Sequence, residues 1–169
     1  MNFLLKAFLL MLPAYISSPG AVLSRGKMPI DLGKNFFDGR RILGRGKTFE
    51  GLALGTLLGF IAGVIVELYF GLYGSYFNIF LLSFGGLFGD ICNSFLKRRL
   101  GKGQGKKLPV LDQLNLVFGS WFLCFVFSRG WFLESFNWYI AITVLIMTPL
   151  LHRAANMAAY KLGLKDVPW

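Results

Sequence analysis

Residues 49–70 read FEGLALGTLLGFIAGVIVELYF, and their only charges are Glu50 and Glu67 near the two ends. A helix rises about 1.5 Å per residue and the apolar core of a bilayer is about 30 Å thick, so this run has the length of one crossing. The pattern repeats on both sides: residues 2–23, 76–96, 112–128 and 138–160 are similarly apolar. The expected fold is an all-α integral membrane protein, a single membrane domain over residues 1–169 with about five transmembrane helices. Composition agrees, since 55% of the chain is hydrophobic and only 15% charged, against about a quarter charged in soluble domains.

The loops give the direction. Loop 24–48 holds Arg25, Lys27, Lys34, Arg40, Arg41, Arg45 and Lys47, and loop 97–111 holds Lys97, Arg98, Arg99, Lys102, Lys106 and Lys107. Residues 71–75 carry no charge, residues 129–137 carry one of each sign, and the tail adds Arg153, Lys161 and Lys165. Lys and Arg collect in cytoplasmic loops, so the N-terminus is expected outside and the C-terminus in the cytoplasm of a multi-pass cell-membrane protein. The net charge of +10 is then a matter of topology, with no nucleic-acid partner implied. A cleaved leader, with Lys6 ahead of small residues at 17–21, is the competing reading of the first segment. Its apolar run is long for a leader, and the basic loop that follows outweighs Lys6. Cys92 and Cys124 sit in apolar stretches as packing residues, without metal-binding spacing.

Polar side chains inside apolar helices are costly and are usually paired or functional. Asp90, Asn93, Ser94 and Lys97 fall at i, i+3, i+4 and i+7, and so share one helical face. Asp90 lies roughly 10 Å below the basic loop. A carboxylate at that depth needs a cation, a metal or Lys97, and an Asp90–Lys97 pair two turns apart is the structural alternative. Asp112, with Gln113 and Asn115 close by, opens the fourth helix, where capping is an ordinary job for Asp. Two carboxylates on adjacent helix ends suit a hard divalent cation that keeps several waters and binds phosphate.

The segment Gly44-Arg45-Gly46-Lys47-Thr48-Phe49-Glu50 enters the second helix from the same side. A Walker A reading, G-x-x-x-x-G-K-[ST], fails because its first glycine would fall on Arg41 and the context is a membrane helix instead of a strand. Exposed N–H groups at a helix start, beside Lys47 and the Thr48 hydroxyl, still favour an anion. The plainer alternative is Thr48 as a cap with Lys47 at the membrane surface. Lys47, Thr48, Glu50, Asp90, Asn93, Lys97 and Asp112 thus gather at one level, ringed by Arg40, Arg41, Arg98 and Arg99. Arg grips phosphate bidentately and Lys as a point charge. The residues describe a site for a polyphosphate and a metal, opening from the cytoplasm into the inner leaflet. His152, Arg153 and Asn156 either line the same cavity or contact headgroups and neighbouring helices, and Glu67 reads as an interfacial residue.

The run Gly89-Asp90-Ile91-Cys92-Asn93-Ser94-Phe95-Leu96-Lys97-Arg98-Arg99, followed by Leu111-Asp112-Gln113-Leu114, resembles the signature of integral membrane CTP:phosphatidate cytidylyltransferases. Those enzymes carry G-D-x-x-x-S-x-x-K-R and then L-D-R-x-D. Gly46-Lys47-Thr48-Phe49-Glu50-Gly51 resembles their G-K-T-x-x-G segment. The loop Pro29-Ile30-Asp31-Leu32-Gly33-Lys34-Asn35-Phe36-Phe37-Asp38-Gly39-Arg40-Arg41 is similar to that of the archaeal branch, the CDP-archaeol synthases. The likeness covers residues 29–119. Two departures matter: the H-G-G before the final aspartates is absent, and Asn115 stands where the second aspartate belongs, with Gln113 for the arginine.

The resemblance implies transfer of the cytidylyl group of CTP, with Mg²⁺ as cofactor, to an isoprenoid ether lipid phosphate, unsaturated archaetidic acid, drawn from the surrounding membrane lipids. It implies that Asp90 and Asp112 hold the metal and that Lys97, Lys47 and Thr48 meet the nucleotide phosphates. Asn93 would orient the base or a phosphate, and Arg40, Arg41 and Arg98 the lipid phosphate or triphosphate tail. Asp38, Glu50, Ser94 and Asn115 complete the expected substrate-binding set. Three other functions compete: the same reaction on ester-linked phosphatidic acid, a small transporter, and a polybasic lipid adaptor. No internal repeat supports a transporter, and an adaptor leaves Asp90 without a purpose.

Overall fold

The computed structural model describes residues 1–103 and 108–161. Lys106, Lys107 and Lys165, counted among the basic residues above, lie outside the described residues. Among the described residues six helices follow in order: α1 (Phe3–Leu23), α2 (Phe49–Phe70), α3 (Tyr76–Arg99), α4 (Pro109–Phe127), α5 (Arg129–Ser135) and α6 (Trp138–Lys161). Each of α1 to α4 is long and apolar enough to cross a membrane, and α5 with α6, bent at 79°, passes the same test together, as a broken span or a re-entrant loop. The five expected helices are therefore present, with three differences. Helix α3 runs on through Lys97, Arg98 and Arg99, where basic side chains favour its negative C-terminal end. Helix α4 begins at Pro109 instead of Asp112, since proline is suited to the first helical position. The expected short loop 129–137 contains α5, a seven-residue helix of about two turns that carries Arg129 and Glu134.

Close backbone approach organises the bundle. Gly51, Gly55, Gly59 and Gly63 all lie buried on one face of α2. A Cβ at Gly55 or Gly59 would collide with the carbonyls of Ser17 and Pro13 on α1. Small residues at such spacing let membrane helices pack on backbone, where no hydrophobic driving force separates helix from lipid. On the opposite side of α2, Leu57, Ile61, Ile65 and Leu68 are each about half exposed or more, as a lipid-facing stripe should be. Ala7, Leu10, Met11 and Ala14 of α1 belong to the buried core, so the first segment is a packed span. Helix α3 sits centrally, against α1, α2 and α4.

The neutral end is tied by polar groups that serve the backbone. Pro13 has no N–H, which leaves the Leu9 carbonyl without its helical donor, and the buried Tyr73 hydroxyl donates to that carbonyl. The Tyr73 N–H donates to Glu67 and the Tyr73 carbonyl accepts from Asn78 Nδ2 at 2.8 Å. Glu67 therefore holds a turn instead of lying free at the interface. Gly71 closes α2 in the left-handed region, at φ 60°, which glycine adopts without cost. Trp131 packs on Tyr73 with ring centroids 6.3 Å apart, joining α5 to this turn.

Candidate active site

The site is built where α3 and α4 touch backbone to backbone. A Cβ at Gly89 would fall on the Asn115 carbonyl, and one at Gly119 on the Gly85 carbonyl and Gly89 backbone. At that separation short side chains reach across. Asn115 Nδ2 donates to Asp90 Oδ1 at 2.6 Å, and Asn93 Nδ2 donates to Asp112 Oδ1 at 2.7 Å. Each helix thus carries the pattern Asp-x-x-Asn, and the two copies, running antiparallel, clasp each other crosswise. Asn115, which sequence comparison alone makes a missing carboxylate, is the donor that orients Asp90. The signal was present as the same spacing in both helices.

Each carboxylate also meets a lysine. Lys47 Nζ from the first basic loop lies 3.4 Å from Asp90 Oδ2. Lys97 pairs with Asp112 across the helices, so the within-helix Asp90–Lys97 pair does not form. Asp112 additionally accepts the Leu108 N–H at 2.9 Å. It sits in the first turn of α4 as the returning arm of the helix start, while Leu108 is the cap residue and supplies no side-chain bond. Among the described residues Asn93 Oδ1 is buried without a hydrogen-bond partner, which for a buried polar atom calls for an explanation. Ser94 turns away, donating to the Asp90 carbonyl one helical turn back. A cleft of about 100 Å³ opens between α1, α2 and α3, with Lys47, Thr48 and Asp90 as its polar wall and Val22, Leu52, Leu87 and Ile91 as its apolar one.

At the start of α2 three N–H groups are engaged within the chain. The Phe49 N–H goes to the Met28 carbonyl, the Gly51 N–H to Thr48 Oγ1 and the Leu52 N–H to the Thr48 carbonyl. Glu50 turns back to accept the Lys27 and Met28 N–H groups at 3.2 Å. Glu50 thereby ties the start of the basic loop to α2, and Thr48 caps the helix at the loop's end, next to Lys47.

The rest of loop 24–48 is folded around a buried anion. Asp31 accepts two bonds from Arg41 at 2.9 Å and further bonds from the N–H groups of Gly33, Leu43 and Gly44. Burial alone would raise its carboxyl, but these five donors outweigh it and hold Asp31 well below the ordinary carboxylate range. Arg40 donates to the Arg99 carbonyl at 2.9 Å, capping the end of α3. Arg99 pairs with Asp38, donates to the Arg41 carbonyl and stacks over Phe36 at 4.6 Å. Arg40, Arg41 and Asp38 therefore fasten the loop to α3, and Arg99, outside the expected set, is the centre of that fastening. Among the described residues Arg98 keeps a buried Nε without a partner. His152 is half-buried and Arg153 exposed on α6, and neither lines the cleft.

Comparisons with known proteins agree over most or all of the chain. A family model described as CarS-like, CDP-archaeol synthase, matches residues 1–169. A CDP-archaeol synthase of Methanosarcina acetivorans is 43% identical over 176 residues, covering 94% of this chain and 100% of its own. That of Methanocella arvoryzae is 45% identical with the same coverage, and that of Picrophilus torridus 44% identical over 98% of this chain and 96% of its own. A solved structure, described as an intramembrane enzyme for archaeal membrane lipids biosynthesis, superposes with a TM-score of 0.79 at 37% identity, over 90% of this chain and 94% of that one.

Proposed function

The chain belongs to the CDP-archaeol synthase family, and from that membership we propose how its residues carry out cytidylyl transfer in archaeal membrane lipid biosynthesis. The substrates are CTP and unsaturated archaetidic acid. An oxygen of the lipid phosphomonoester attacks the α-phosphorus of CTP, the bond from that phosphorus to the β-phosphate oxygen breaks, and pyrophosphate leaves. A phosphomonoester is already anionic at neutral pH, so the chain needs no Ser, Cys or His nucleophile. Its task is positioning and charge neutralisation.

Asp90, Asp112 and the unpartnered Asn93 Oδ1 form a hard oxygen set that suits Mg²⁺ better than a soft metal. Among the described residues no three His, Cys, Asp or Glu come together, so these groups would hold such a cation only together with waters and phosphate oxygens. When bound, Mg²⁺ supplies charge neutralisation on the triphosphate and polarises the attacked phosphate. Lys47 and Lys97 hold the nucleotide phosphates, and Arg98 adds a donor beside them. Asn115 and the helix seam keep Asp90 aimed, while Thr48, Glu50, Asp31, Arg41 and Arg99 hold Lys47 in register. The lipid phosphate reaches Lys47 through the cleft between α1 and α3, whose apolar wall admits the isoprenoid stem from the side. The basic end faces the cytoplasm, where CTP is made, which puts the N-terminus outside.

The observation that carries this reading is the crossed pair of Asp-x-x-Asn clasps, each carboxylate held by an amide from the other helix. The test is CDP-lipid formation and pyrophosphate release by the detergent-purified protein given CTP, Mg²⁺ and di-geranylgeranylglycerol phosphate. Turnover that requires all three, and that EDTA abolishes, is expected. Release of pyrophosphate without lipid, or turnover indifferent to EDTA, would contradict the assignment.

A further inference from the structure

Both carboxylates of the site carry an ammonium group. Asp90 keeps one oxygen on the fixed Asn115 amide and the other on Lys47, 3.4 Å away. Asp112 is held by Asn93 and the Leu108 N–H, and is paired with Lys97. The two lysines come from different elements, the first basic loop and the end of α3. Each pairing answers the same need, since a carboxylate inside a membrane helix is costly unless a cation accompanies it. An ammonium and a hard divalent cation compete for the same carboxylate oxygen, and the like charge of the lysine repels the metal. A lysine is also a flexible point charge, able to move to another anion nearby.

We propose that Lys47 and Lys97 are place-holding cations: they neutralise Asp90 and Asp112 until a divalent cation arrives with its nucleotide, and the displaced ammonium groups then take the phosphates. The proposal rests on Asp90 and Asp112 being the metal ligands, as assigned above. It has a thermodynamic consequence. Metal alone binds weakly because it must expel a lysine that has nowhere to go, whereas metal with triphosphate binds well because the lysine gains a new anion. Metal and nucleotide are therefore positively coupled, each raising the affinity for the other by the same factor.

The test is Mn²⁺ binding to the full chain in detergent, measured by electron paramagnetic resonance with and without CTP and in the absence of lipid. Lys47→Met is expected to bind Mn²⁺ alone at least about tenfold tighter than the parent, from removal of the competing charge, and to show weaker coupling to CTP. Lys97→Met, altered on a different element, should behave likewise at Asp112, while Lys47→Arg keeps the weak affinity of the parent. Mn²⁺ affinity unchanged or reduced in both methionine variants, with binding still lost in Asp90→Asn, would overturn place-holding and leave the metal site standing. Binding that survives Asp90→Asn would overturn the metal assignment itself.

Discussion

The two ends of this bundle use polar groups in opposite ways. At the neutral end Tyr73, Asn78 and Glu67 bond to backbone: a carbonyl orphaned by Pro13, the Tyr73 carbonyl and the Tyr73 N–H. Every one of those bonds closes a gap in the chain's own hydrogen bonding. At the basic end Asp90, Asn93, Asp112, Asn115, Lys47 and Lys97 bond side chain to side chain, and Asn93 Oδ1 is left over. The first arrangement is complete without a ligand; the second is charged, exchangeable and short of one partner. Buried polar groups in a membrane thus divide into those that finish the fold and those that wait for a substrate. The difference is visible in whether the partners are backbone alone or chiefly other polar side chains.

Altering the seam that both ends share should have the largest effect. Gly119→Val forces a side chain onto the Gly85 and Gly89 backbone, at a cost of about 3 kcal/mol or more. The thermal midpoint and turnover should fall together, and a variant with normal stability would break the account of the seam. Next comes Asn115→Leu, which removes the donor that aims Asp90. Loss of an outer partner of a metal ligand typically costs about 10–100-fold, so turnover should drop by that factor while the midpoint hardly moves. Tyr73→Phe reverses the pattern. It leaves the Leu9 carbonyl unsatisfied, costing about 1–3 kcal/mol of stability, with turnover at permissive temperature unchanged. A Tyr73→Phe enzyme that stays stable but loses rate would erase the contrast between the ends.

The smallest effect concerns acid. Because the folded pKa of Asp31 is depressed, its stabilisation is complete above the unfolded value of about 3.9 and is lost as pH falls through the folded one. The unfolding midpoint should therefore be insensitive to this group between pH 8 and 5 and decline only below about pH 4. Asp31→Asn should flatten that decline while lowering the midpoint throughout.

The spans were legible because length and hydropathy suffice for them. Boundaries shifted only where a local rule competed: proline at the start of α4, basic side chains prolonging α3. Asp90, Asp112, Lys47 and Lys97 could be gathered at one level from helical spacing and loop alternation. Their pairing could not, because spacing gives the face of a helix and not its angle to a neighbour. The glycines at 51, 55, 59 and 63 and at 85, 89 and 119 fix that angle, and their regular interval was a readable signal. Loop 24–48 was the least legible part. Its basic residues suggested phosphate ligands, whereas Arg40, Arg41 and Arg99 chiefly hold the loop together around Asp31 and the end of α3. Nothing in a list of charges distinguishes an arginine that binds a substrate from one that caps a helix.

The central claim is that Asp90 and Asp112 act as one unit across the α3–α4 seam. It is tested most directly by a double-mutant cycle on CDP-lipid formation with Asp90→Asn, Asp112→Asn and the pair, each checked for an unchanged thermal midpoint. Each single change should cost about 10³-fold, and the double change scarcely more than either alone, because residues that serve one catalytic assembly lose their effect together. Losses that multiply in the double variant would show two independent groups, and a single variant retaining near-parent turnover would remove that residue from the site.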